Sequence, residues 1–266
     1  MIQLYKKYHV AYWCIGITLI VCMVISMFLV WNAFPSAPFL VFFPTLFLVF
    51  VNAAVFTRLT SKKINSEIVP FLSNCEANRY LSEIHALFNG KAKNRVIITI
   101  YNTFLASGYA VINDYDAVYD CCQKITTKGY QFARSTFMID YYASTCQFEQ
   151  AKSEIEKLRK MIEKMKNPKI IENCEISIMN VEYAMRVKQG NYEGAEEHYL
   201  KMMETVKPLL PLGKASYSYA LGKLLVLKGE PERAREYLQV AYDLGGDTKY
   251  KKFAEENLKK LNGEQE

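Results

Sequence analysis

Histidine is the side chain that titrates nearest neutral pH, and this chain has three, none of them with company. His9 precedes a long apolar stretch, and His85 and His198 fall on separate predicted helices. None stands with carboxylates or cysteines at metal-ligand spacing. The seven cysteines are Cys14, Cys22, Cys75, Cys121, Cys122, Cys146 and Cys174, with no CxxC pair among them. A zinc site needs clustered Cys and His, and Cys121-Cys122 has no third or fourth ligand nearby. The thiols therefore read as reduced, small hydrophobes of a cytoplasmic domain. There is no Walker loop, no Rossmann glycine fingerprint and no GxSxG. Acids such as Glu193, Glu196 and Glu197 alternate with lysine, as on solvated helix faces. No enzymatic activity, metal or cofactor is expected. The net charge of +6 is spread along the chain and gives no reason to expect nucleic acid.

A recurring phrase carries more information. Asn113-Asp114-Tyr115-Asp116-Ala117-Val118 returns as Cys146-Gln147-Phe148-Glu149-Gln150-Ala151, as Gly190-Asn191-Tyr192-Glu193-Gly194-Ala195, and as Gly229-Glu230-Pro231-Glu232-Arg233-Ala234. Its third residue lies at 115, 148, 192 and 231, spacings that mark a stacked repeat. Each phrase should close one helix and open the next. Gly190 and Gly229 suit the left-handed residue that ends a helix, Asn113 tolerates it, and Cys146 does so less readily. Acids just beyond favour the start of the next helix. The small residue at the end (Val118, Ala151, Ala195 or Ala234) lets paired helices approach closely. Glycine-centred breaks and the absence of a long heptad argue against coiled coil.

With its surroundings the phrase resembles the tetratricopeptide repeat over roughly residues 92 to 245. The fourth unit matches best, through Leu221-Gly222, Leu225, Gly229, Pro231, Ala234, Leu238 and Ala241. Leu105-Ala106, Tyr109, Tyr115 and Val118 fit in the first. Met138, Tyr142, Phe148, Ala151, Ile155 and Leu158 fit in the second. The third keeps Ala195, Tyr199 and Met202, while its first helix runs one residue short, with Tyr183-Ala184 in the approximate slot. The resemblance implies a concave groove lined by the first helix of each unit, holding a peptide or protein partner. Carried over by position, the groove residues are Thr103 and Ser107, then Thr136, Asp140 and Ser144, then Asn180, then Ser216, Tyr219 and Lys223. That mixture does not resemble the basic carboxylate clamp of chaperone-binding members.

Flanking segments complete the expected all-α plan. Fifty consecutive residues between Lys7 and Arg58 carry no formal charge. Apolar runs at 10–30 and 38–56, split by Asn32-Ala33-Phe34-Pro35-Ser36, are each long enough to cross a hydrocarbon core. They predict a transmembrane hairpin over residues 1–60. Lys6, Lys7, Arg58, Lys62 and Lys63 flank it, which predicts that both termini are cytoplasmic. A cleaved signal peptide is the competing reading, disfavoured by the second run. Residues 61–91 read as a helical linker or cap, broken near Pro70 or Asn74. Residues 92–266 read as an α-solenoid of about four helix pairs, ending in an amphipathic capping helix over 248–261.

The expected function is the first of two classes, with the second as its alternative. One is a membrane-anchored adaptor that binds a protein or peptide, its tether raising effective concentration at the membrane. The other is a sensor of a peptide or small ligand, which predicts a closed, pocket-like superhelix. A membrane enzyme would need a polar constellation that the sequence does not show.

Overall fold

A computed structural model describes residues 10, 14–22, 24–26, 28, 47, 51, 64–88, 95–205 and 209–263. Among the described residues the protein is all-α, without strands. The chain divides into two compact units, Met1–Val69 and Pro70–Glu266. The second begins inside the segment read from sequence as a linker.

In the first unit a short apolar helix occupies Cys14–Ser26, and Ile15, Ile17, Val21, Val24 and Ile25 on it are at least half exposed. The turn at 32–36 and nearly all of the run at 38–56 lie outside the described residues. Among those described, the helix that is long and apolar enough to cross a membrane is Arg95–Ile112, by length and composition only. That helix belongs to the second unit, where Thr99, Asn102, Leu105, Ala106 and Gly108 are buried.

The second unit begins within the short helix Val69–Ser73, and helix α1 (Ala77–Phe88) follows it. Four helical hairpins follow. They are α2 (Arg95–Ile112) with α3 (Tyr115–Lys124), α4 (Gln131–Ser144) with α5 (Phe148–Ile162), α6 (Pro168–Lys188) with α7 (Ala195–Thr205), and α8 (Pro211–Lys228) with α9 (Pro231–Leu244). Helix α10 (Lys249–Leu261) ends the array. Helices pack chiefly on their neighbours in sequence, and first helices of successive hairpins also touch, α2 on α4 and α4 on α6.

The hairpin turns share one backbone. Asn113, Cys146, Gly190 and Gly229 all have positive φ, between 61° and 82°. In each case the next N–H reaches back five residues to a carbonyl of the preceding helix, as in Asp114 N to Tyr109 O at 3.0 Å and Glu230 N to Leu225 O at 2.9 Å. These bonds satisfy carbonyls that a helix end would otherwise orphan. A fifth such turn precedes the repeats: Cys75 has φ 63° and Glu76 N donates to Phe71 O at 2.8 Å. Five residues after the left-handed position, Val118, Ala151, Ala195 and Ala234 are all completely buried. Seven residues before it stands the partner slot. In the fourth hairpin this is Gly222, where a Cβ would come within 2.8 Å of Leu238 Cγ and 3.2 Å of Leu238 N.

The array closes on itself. The Asp247 carboxylate, in the turn before α10, accepts the N–H groups of Ala77 and Asn78 (2.8 Å for Asn78), the first residues of α1. An acid there satisfies orphan donors and meets the positive end of the helix dipole. Asp247 N donates in turn to Cys75 O at 3.0 Å. Gly246, at φ 53°, lies so close to Cys75 that a Cβ would collide with its carbonyl oxygen. Two residues further on, Lys249 Nζ donates to the Tyr115 hydroxyl at 2.7 Å, joining α10 to the first hairpin.

Candidate functional site

Inside this closure α4, α6, α8 and α10 surround a cavity of about 780 Å3. Six of the nine residues expected from sequence line it: Asp140, Ser144, Asn180, Ser216, Tyr219 and Lys223. Counted back from the left-handed residue, Asp140 and Lys223 are both six positions before it, Asn180 and Tyr219 ten. The shared turn sets their register without alone deciding which reach the cavity, since Ser107 is also six positions before its left-handed residue and Thr103 and Thr136 ten. Thr103, Ser107 and Thr136 are placed elsewhere. Their hydroxyls donate one turn back along their own helices, to Thr99 O at 2.8 Å, Thr103 O at 3.2 Å and Phe132 O at 3.1 Å. Ser107 also lies beside the Tyr80 hydroxyl, where α1 covers that face of the first hairpin.

Two of the three cations lining the cavity come from residues that the sequence reading did not select. Lys188 is two positions before its left-handed residue, as Ser144 is, and the unsettled register of the third unit hid the match. Its ammonium donates to Ala143 O at 2.8 Å and Ser144 O at 3.1 Å, the final carbonyls of α4. Burial lowers its pKa, and Lys223 and Lys249 lower it further, while Asp140 opposes them. Lys249 lies over the rings of Tyr115 and Tyr250, 5.1 and 5.5 Å from their centroids. Burial alone would weaken its proton, but Tyr250, Asp140 and Tyr115 outweigh it and hold the pKa above the usual lysine value.

A neutral network lines the wall between α6 and α8. Asn180 Nδ2 donates to the Tyr217 hydroxyl at 2.9 Å, and Asn180 Oδ1 meets His198 Nε2 at 2.7 Å. With Asn180 Oδ1 as acceptor, His198 Nε2 carries the proton. Tyr183 stacks on the His198 ring at 4.3 Å, and burial, with Lys201 nearby, lowers the His198 pKa. Tyr217 oxygen is an acceptor in this chain, so its own proton can be donated. The opposite wall is aromatic: Tyr219 lies 5.7 Å from Phe253 and 6.1 Å from Tyr250, centroid to centroid. Burial pushes the Tyr219 hydroxyl up to about 12 and keeps it neutral.

Cationic lysines, one carboxylate and neutral tyrosines thus share one cavity. Among the described residues no group of three or more His, Cys, Asp or Glu is placed to hold a metal ion. Comparison with protein-family models, with curated proteins and with solved structures gave no match.

Proposed function

We infer that this chain is a membrane-anchored, tetratricopeptide-like binding protein that senses a peptide or small ligand held inside its helical ring. The observation that carries this reading is the closure of the array through Asp247 and Lys249 around a cavity of about 780 Å3. A cavity of that size suits a small ligand or a short peptide better than a folded domain. Closure also gives a ligand something to change, because Lys249 faces the cavity and is two residues from the clasp at Asp247. The four turns of one backbone support the repeat assignment, with the inner face of the first helices as the binding face. For the anchor, the support is the uncharged stretch between Lys7 and Arg58 and the exposed apolar side chains on Cys14–Ser26. Both termini are then cytoplasmic, and the binding unit works at the membrane face.

The test is capture from native membranes, using the full chain and an Ala184→Trp variant that fills the cavity from α6. Ala184 lines the cavity and is itself exposed. The sensor reading expects a small species to travel with the wild type and not with the variant, and both proteins to resist extraction by alkaline carbonate. Equal recovery of a protein partner by both would sink it in favour of an adaptor that binds on the outer surface.

A further inference from the structure

The cavity carries an unbalanced charge. Lys188, Lys223 and Lys249 line it, against the single carboxylate of Asp140. The lysines come from α6, α8 and α10, so three separate helices bring like charges to one space. Burial disfavours the Lys188 cation, and Lys223 and Lys249 each disfavour it further. Asp140 favours both Lys188 and Lys249 and is one charge against three. An anion placed among the three lysines would offset the surplus positive charge that Asp140 leaves.

We propose that the cavity recognises an amphipathic ligand bearing two carboxylates, whose negative charges lie among Lys188, Lys223 and Lys249 while its apolar part packs on Tyr219, Tyr250 and Phe253. This deepens the sensor reading and rests on it. Two negative charges match the surplus that Asp140 leaves among the lining side chains, the Glu256 carboxylate acting on Tyr219 from outside the lining. The hydrogen-bonding capacity agrees: Lys188 keeps one N–H after serving Ala143 O and Ser144 O, and Tyr217 can add its hydroxyl proton. Lysines are compact point charges that suit separated carboxylates, and no arginine fork lines the cavity to grip a phosphate in two places. The apolar half of the recognition comes from the aromatic wall, on the α8 and α10 side. Two sources share this chemistry, an acidic peptide segment and a small aliphatic or aromatic dicarboxylic acid.

The experiment is affinity selection on the full chain in detergent micelles, from a random hexapeptide library and, separately, a panel of small mono- and dicarboxylic acids. Enrichment of peptides rich in Asp and Glu, or of dicarboxylic over monocarboxylic acids, is the expected result and identifies the source. Raising salt from about 0.1 to about 0.5 M should weaken the binding. Lys223→Gln should weaken it about tenfold, the size of one lost charge-assisted bond. Lys249→Gln should do the same, with Lys223→Gln as the safer variant because Lys249 also holds Tyr115. Selection of neutral or basic peptides in a cavity-dependent manner, sensitive to Ala184→Trp, would overturn the anion assignment and leave the sensor reading standing. No cavity-dependent selection from either library would overturn both.

Discussion

In the fourth hairpin Gly222 stands seven residues before the left-handed Gly229; in the third, Tyr183 stands seven before Gly190. The rest of the two units is in the same register, with Ala234 and Ala195 completely buried at matching places. At the glycine, α8 and α9 close until Leu238 fills the space a Cβ would need. The tyrosine cannot enter a slot of that size. Here α7 starts at Ala195, whereas α9 starts at Pro231, earlier in its own phrase. Gly194 takes φ 69° beside the Tyr183 hydroxyl, and the displaced ring stacks on His198. The fourth hairpin has an apolar core of Leu221, Leu225, Ala234 and Leu238, which Ala195 and Tyr199 of the third also join. The third is a looser pair with a polar seam that opens onto the cavity. Bulk at the slot is not enough by itself, since the second hairpin carries Ile139 there, buried, and still starts its second helix at Phe148; the third differs in pairing a tyrosine with a glycine at 194.

The largest test of that contrast is Leu238→Ala. Leu238 is completely buried in the tight hairpin, and its truncation should cost about 3 to 4 kcal/mol in thermal or urea unfolding. A loss below about 1 kcal/mol would mean the fourth hairpin is no better packed than the third. Next in size is Gly246→Ala at the ring closure. Its Cβ would strike Cys75 O from a left-handed backbone, so the clasp must open or strain, at a cost of about 2 kcal/mol. Hydrogen exchange should then rise at Ala77 and Asn78, at the start of α1, and not in α8 or α9. Uniform exchange across the array would show that the clasp does not hold a separate contact.

Much of this was legible because it is local. The turns announce themselves through Gly190, Gly229 and Asn113, and counting from them and from Cys146 gives Asp140, Asn180, Tyr219 and Lys223, though Thr103, Ser107 and Thr136 at the same counts lie outside the cavity. The Cys75 turn was legible only as a break near Asn74, since no glycine marks it and the backbone there is left-handed all the same. Lys188 was hidden by Tyr183, which disguised the small-residue slot and left the third register open. Lys249 and the clasp were beyond local reading: on the sequence α10 is an amphipathic cap. Asp247 meets Asn78 across a separation of 169 residues, and Lys249 meets Tyr115 across 134. Only the summed curvature of all the hairpins determines those contacts, and no short pattern encodes it.

A double-mutant cycle sharpens the third hairpin itself. Gly194→Ala should cost about 1 kcal/mol for its backbone. There is a further penalty because the new Cβ would lie 3.2 Å from the Tyr183 hydroxyl. In a Tyr183→Ala background that second part should vanish, giving a coupling of about 0.5 kcal/mol between the two sites. Additive effects would mean that Gly194 is left-handed for a reason other than the tyrosine.

The smallest effect is a pH dependence confined to the polar seam. Burial lowers the His198 pKa, with Lys201 adding to it, so the folded protein holds this proton less firmly than the unfolded chain. For a base shifted downward, the contribution to stability is fully present above the unfolded value of about 6.5. It is lost as the pH falls through the lowered folded value, because acid then favours the state that binds the extra proton. His198→Gln keeps a donor for Asn180 Oδ1 and has nothing to titrate. Melting curves at about pH 7.5 and pH 5 should therefore converge for the variant more than for the wild type. Aromatic NMR signals of Tyr183 and Tyr217 should move over the same window, since one stacks on His198 and the other is reached through Asn180. The fourth hairpin contains no histidine, and Leu238 methyl signals should stay put. Parallel acid losses in wild type and variant would place the titration on other groups and remove His198 from the account of why the two hairpins differ.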